Sequence, residues 1–230
     1  SIFDGRKVQH QPDFVLFWHE VGALTLEVKN WDFERVDFID PRTIKYRHSD
    51  GQKDFRTHPL RQAQVYSVAL RQHLQRIDKE SGLGLVNEDG PHAGALRFHV
   101  GHGLILMGTT EADLDRISTI LGNTPKAYLI SEEALQSPKL LRARIKGIPR
   151  QFESGGDPEV LRIAADQVWP RNLRETKITL PVVNSQLVGD VGGDGLPLYH
   201  KLRKQLALAC DEVHALIECH RPESAALAQL

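Results

Sequence analysis

The stretch that most constrains this chain is residues 11–30, QPDFVLFWHEVGALTLEVKN. Two apolar runs, Phe14 to Phe17 and Ala23 to Val28, flank a short polar turn, HEVG, and this pattern predicts an antiparallel hairpin. A turn centred on Glu20 makes paired residue numbers sum to 40, so that Phe14 faces Leu26 and Leu16 faces Leu24. Side chains alternate along a strand, so Phe14, Leu16, Leu24, Leu26 and Val28 form one apolar face. Asp13, Glu27 and Lys29 then share the other face, with Asp13 directly opposite Glu27.

Two carboxylates opposed across strands repel by a few tenths to about 1 kcal/mol, and by more when buried. A divalent cation converts that repulsion into attraction, and Mg²⁺ is commonly held by one or two carboxylates together with waters and substrate phosphates. A lysine two residues beyond the second acid, about 6 to 7 Å along the strand, can reach the same phosphate or the attacking water. Metal-assisted phosphodiester hydrolysis uses such an arrangement. The competing reading is a partly exposed sheet face with a Glu27/Lys29 pair and an unrelated Asp13.

Further along, VDFID (36–40) and TIKYRH (43–48) read as a second hairpin, and Pro59 opens a helix to about Ile77 with a stripe at Leu60, Ala63, Leu70, Leu74 and Ile77. Residues 81–94 read as a loop, LRFHV and GLILMG as short strands, and TTEADLDRISTIL as a helix with Thr110 at its N-cap. KAYLI (126–130) reads as a strand, and Ser131 as the cap of a helix starting SEEALQ. Beyond residue 156, DPEVLRIAADQVW is helical, TKITLPVV is a candidate strand, GDVGGDG a flexible linker, and LYHKLRKQLALACDEVHALIE one amphipathic helix. Strands interleaved with helices predict an α/β domain with a mixed β-sheet flanked by helices over about residues 1–150, and a mainly helical C-terminal extension or linker over 151–230.

PDFVLFWHEVGALTLEVKNW, followed by DGQKDFRTHPLRQAQVY and HVGHGLILM, resembles the nuclease-related domain (NERD) family of the PD-(D/E)xK, restriction-endonuclease-like superfamily, over about residues 5–150. The motif is present as Pro12-Asp13, thirteen residues, then Glu27-Val28-Lys29. The resemblance implies a restriction-endonuclease-like core and Mg²⁺- or Mn²⁺-dependent cleavage of DNA. It implies Asp13 and Glu27 as metal ligands, with the Val28 backbone carbonyl as a third. Lys29 would orient or activate water and stabilise developing charge, and Gln62, with Tyr66 one turn later, would stand near the site. The alternative for Gln62 is an ordinary solvated helix residue. The superfamily usually places an N-terminal helix with a further acid before the first strand, and this chain has no room for one. SIFDGRKV, lacking an initiator Met, reads as an internal cut in a longer protein. Family members are found fused to helicase or kinase modules, but no G-x-x-x-x-G-K-[ST] occurs in these 230 residues. A catalytically silent nucleic-acid-binding or adaptor module attached to a helicase-like protein is the alternative function, and a purely structural segment the third.

A net charge of -1 announces no nucleic-acid or membrane partner by itself, so a DNA partner needs a local patch. SPKLLRARIKGIPRQ supplies one, with Lys139, Arg142, Arg144, Lys146 and Arg150 and no acid between Glu133 and Glu153; the other reading is a solvated helix face. Two cysteines, Cys210 and Cys219, make no disulfide framework and fit a reducing cytoplasm. Cys210, His214, Cys219 and His220 are only loosely zinc-like in spacing, and Cys210 also fits an apolar stripe. His99 and His102 read as structural.

Overall fold

Alternation along residues 13–29 sets the middle of the sheet. The computed structural model describes residues 2–3, 9–10, 12–149, 155–168, 196–210 and 215–218. A short antiparallel pair, β1 (Ile2–Phe3) and β2 (Gln9–His10), precedes the hairpin of β3 (Phe14–Trp18) and β4 (Gly22–Lys29). Its register is Phe14↔Leu26 and Leu16↔Leu24, as the turn predicts. Gly22 closes the turn at φ +89°, and a Cβ there would lie 2.3 Å from the His99 carbonyl oxygen, so only glycine fits without displacement.

After the hairpin come β5 (Val36–Asp40), β6 (Thr43–Arg47) and β7 (Lys53–Thr57), a separate antiparallel sheet in the order β5-β6-β7. Helix α1 (Pro59–Ser81) follows, with Pro at its first position and Gly82 in the left-handed conformation at its end. The chain continues through β8 (Val100–Leu106), α2 (Leu114–Ile120), β9 (Leu129–Ser131), α3 (Glu132–Leu135), α4 (Pro138–Gly147), α5 (Pro158–Val168), α6 (Leu196–Ala209) and β10 (Ala215–Glu218). The main sheet has the order β10-β3-β4-β8-β9; β4, β8 and β9 are parallel, while β3 is antiparallel to both its neighbours. The architecture is therefore α/β, with a mixed sheet and several helices.

The two faces of this sheet bury different layers. Phe14, Leu16, Leu24, Leu26 and Val28 pack with Leu141 and Ile145 of α4 and with Leu202 and Leu206 of α6. Val15, Phe17 and Ala23 pack with Leu70 and Leu74 of α1 and with Val160 and Leu161 of α5. A third cluster joins Leu104, Leu106 and Leu129 to Ala63 of α1, Ile44 of β6 and Leu114 of α2.

Several elements differ from the sequence reading. β7 was not anticipated, because KDFRT alternates without an apolar run. Helix α1 runs one turn beyond Ile77. LRFHV and GLILMG give one strand, β8, with Leu96 only in an isolated bridge to Val86. Thr110 does not cap α2: its N–H and hydroxyl donate to Asp113 at 2.8 and 2.7 Å, closing a turn that delays the helix to Leu114. Residues 126–128 form a 3₁₀ turn before β9. Ser131 does cap α3, accepting from the Ala134 N–H. The helix expected over 198–218 ends at Ala209, and Ala215–Glu218 instead pairs with the edge of β3. TKITLPVV, GDVGGDG, Arg150, His214, Cys219 and His220 lie outside the described residues.

Candidate active site

Because Glu27 and Lys29 alternate with Leu26 and Val28, they project toward α1, on the face away from α4 and α6. Thr25, on the same side, donates its hydroxyl to the Ala63 carbonyl at 3.0 Å and fastens β4 to the first turns of α1. That anchor brings Gln62 and Tyr66, one turn apart on one side of the helix, up to the strand.

Asp13 and Glu27 are each only 4% exposed. Asp13 lies one residue before β3, and its Oδ2 accepts the Val28 N–H at 2.7 Å. In extended backbone a residue's N–H and C=O point to the same side, so the Val28 carbonyl also faces Asp13, beyond the last β3–β4 pair. Lys29 Nζ donates to Glu27 Oε1 at 2.6 Å and to Gln62 Oε1 at 3.3 Å, and Gln62 Nε2 donates to the Tyr66 hydroxyl at 2.8 Å. The other carboxylate oxygen, Glu27 Oε2, is buried with no hydrogen-bond partner among the described residues.

The electrostatics follow from this packing. Burial first, and the Asp13 charge second, push the Glu27 carboxyl up to about 7 against the pull of Lys29. Burial likewise raises the Tyr66 phenol, with the two carboxylates adding to the effect. A buried acid with one unsatisfied oxygen and a second acid beside it is costly in isolation. A cation bound by both carboxylates removes both costs, so these residues fit a hard divalent ion with oxygen ligands. Among the described residues no group of three or more His, Cys, Asp or Glu is placed to hold a metal, so the protein ligands at this pair would be the two carboxylates, with the Val28 carbonyl as the available third.

The structure thus brings together Asp13, Glu27, Val28, Lys29 and Gln62. It does not bring the basic segment to them. Helix α4 packs on the opposite face of the sheet, where Arg142 and Lys146 pair with Glu20 at 3.1 and 3.3 Å and Arg144 pairs with Glu111. Lys139 is exposed on the same helix. His102 is half-buried and stacks on Tyr128, 5.1 Å between ring centroids; desolvation and then the neighbouring His99 push its pKa down to about 4.

One group of residues beside the site was absent from the sequence reading. Lys29 Nζ lies 5.4 Å over the Trp31 ring, Arg56 lies 5.8 Å over the same ring, and Arg56 also covers Tyr46 at 4.8 Å. The only sequence signal was the Trp two residues past Lys29, since β7, which delivers Arg56, was itself not anticipated. Comparisons with protein-family models, with curated proteins and with solved structures find no match. No helix among the described residues is long and apolar enough to cross a membrane.

Proposed function

We propose that this chain is a Mg²⁺- or Mn²⁺-dependent DNA nuclease of the nuclease-related, PD-(D/E)xK type, with a restriction-endonuclease-like core. The observation that carries the reading is the buried Glu27 carboxylate, with one oxygen unpartnered among the described residues, close enough to Asp13 to feel its charge and followed two residues later by Lys29. Asp13, Glu27 and the Val28 carbonyl would hold the cation. Bound there, it would supply charge neutralisation at the phosphate and activation of a water nucleophile.

The chain's own groups divide the remaining work. Asp13 is fixed by the Val28 N–H, so its carboxylate is oriented before any ligand arrives. The Lys29 ammonium stabilises negative charge that grows on the phosphoryl oxygens during attack. Gln62 accepts from Lys29 and donates to Tyr66, which fixes the amide orientation and aims the ammonium. A cation held by Glu27 would compete with Lys29 for that carboxylate and would leave the ammonium available to a phosphate.

Nicking of supercoiled plasmid by the wild type and by Glu27→Gln, in Mg²⁺, Mn²⁺ and EDTA, tests the reading. Metal-dependent nicking by the wild type alone is the expected result. A wild type that cuts nothing in either metal would turn the reading to a catalytically silent nucleic-acid-binding module on the same scaffold, as part of a helicase-like assembly.

A further inference from the structure

The small β5-β6-β7 sheet has two unlike faces. Ile44, Tyr46 and Arg56 point inward, toward Trp31 and Lys29. On the outward face, Lys45 stands between Phe55 of β7 and Asp37 of β5, and Arg47 stands opposite Lys53, so three cations face one carboxylate there. Phe55 is 71% exposed, the most exposed large hydrophobic side chain among the described residues. Arg47 is held by Asp37 at 3.4 Å, whereas neither Lys45 nor Lys53 has an ion-pair partner among the described residues. A solvent-facing aromatic ring flanked by lysines offers a stacking face beside positive charge, which complements a polyanion that carries flat bases.

We propose that the outward face of β6 and β7 is a docking surface for single-stranded DNA, with Phe55 stacking one unpaired base and Lys45 and Lys53 meeting the flanking phosphates. The inference rests on the nuclease reading for what happens next to the strand, but not for binding itself. A duplex keeps its base faces stacked inside the helix and has none to offer Phe55, so the surface selects an unpaired strand. Its position beside the acid pair gives it a role. Arg56 follows Phe55 in β7 and turns to the opposite face, where it shares the Trp31 ring with Lys29. A strand bound on Phe55 and passing over the free edge of β7 meets Arg56 next and then Lys29. The surface would thus feed single-stranded DNA, or a single-stranded segment beside a duplex, to the carboxylates.

The test is fluorescence anisotropy of the whole chain with a labelled oligo-dT in EDTA, where metal-dependent cutting is absent. Phe55→Ala should weaken binding about tenfold with an unchanged salt slope, because a ring and no charge is lost. Phe55→Tyr, which keeps a stacking face, should bind within about twofold of wild type. Lys45→Gln with Lys53→Gln should flatten the slope of log affinity against log salt by about 1.4. An equal-length duplex should bind more weakly than the single strand and be indifferent to Phe55→Ala. Wild-type affinity in Phe55→Ala, no measurable oligo-dT binding by the wild type, or equal loss of duplex binding would overturn the inference. The two claims fail separately: oligo-dT anisotropy in EDTA reads the surface with no metal present, and plasmid nicking in Mg²⁺ or Mn²⁺ reads the carboxylates. A wild type that cuts nothing but binds oligo-dT through Phe55 sinks the nuclease reading alone. One that cuts but binds oligo-dT no better than Phe55→Ala sinks the surface alone.

Discussion

At the residue scale, Glu27 links stability to function. Its carboxyl is raised from an ordinary 4.5 to about 7 by burial and by Asp13, so the folded chain binds this proton more tightly than the unfolded chain does. The contribution to stability is therefore full below about pH 4.5 and is lost as pH rises through 7. The loss without metal is on the order of 3 kcal/mol. A cation that bridges the two carboxylates should restore it where Glu27 is ionised. Thermal unfolding at pH 8 should move to higher temperature with Mn²⁺, while at pH 5 the metal should change little. Glu27→Gln should flatten the metal-free decline between pH 5 and 8 and abolish the response to metal. An equal metal shift at both pH values would contradict a site built on this carboxylate.

At the element scale, the hairpin was readable from sequence because both strands alternate cleanly and the turn is short. That pattern fixes the Phe14↔Leu26 register and puts Glu27 and Lys29 on one face, while Asp13 falls beyond the last pair, where its carboxylate accepts the Val28 N–H. The contacts of Gln62 were not readable, since they depend on the Thr25–Ala63 bond that seats α1 on β4. β7 was hidden because its partner is a small sheet that buries one face only, and a strand of Lys, Asp, Phe, Arg and Thr carries no apolar alternation. The charge run of α4 was visible, but its partners Glu20 and Glu111 are far away in sequence. Those ion pairs, and the position of α4 behind the sheet, predict that Arg142→Gln with Lys146→Gln will cost at most about 1 kcal/mol of stability. The same double variant should leave the salt slope of DNA binding unchanged. A slope flattened by about two charges' worth would place DNA on α4 instead.

At the scale of the whole molecule, the segments past residue 156 are built into the packing. Leu202 and Leu206 of α6 are fully buried in the same cluster as Phe14, Leu16 and Leu26, and β10 covers the outer edge of β3. The periodicity of residues 198–218 reads as one helix because apolar residues continue past Cys210. Pairing with an exposed strand edge overrides that local preference. Leu206→Ala should therefore destabilise the entire fold by about 2 to 5 kcal/mol, read as a lower denaturant midpoint for a single transition. A separate early transition would instead mark α6 as an independent unit. The layer containing α6 supports the strands from behind, while the layer containing α1 holds Gln62 and Tyr66 over the carboxylates.

The central claim is that Lys29 acts on a phosphate beside cation-binding Asp13 and Glu27. The most direct test is the rate of plasmid nicking by Lys29→Ala at saturating Mg²⁺, measured alongside its Mn²⁺ affinity by titration calorimetry. Loss of one preorganised donor should slow nicking on the order of 10² to 10³-fold, with metal affinity retained because Asp13 and Glu27 are intact. Nicking at the wild-type rate by Lys29→Ala would contradict the account.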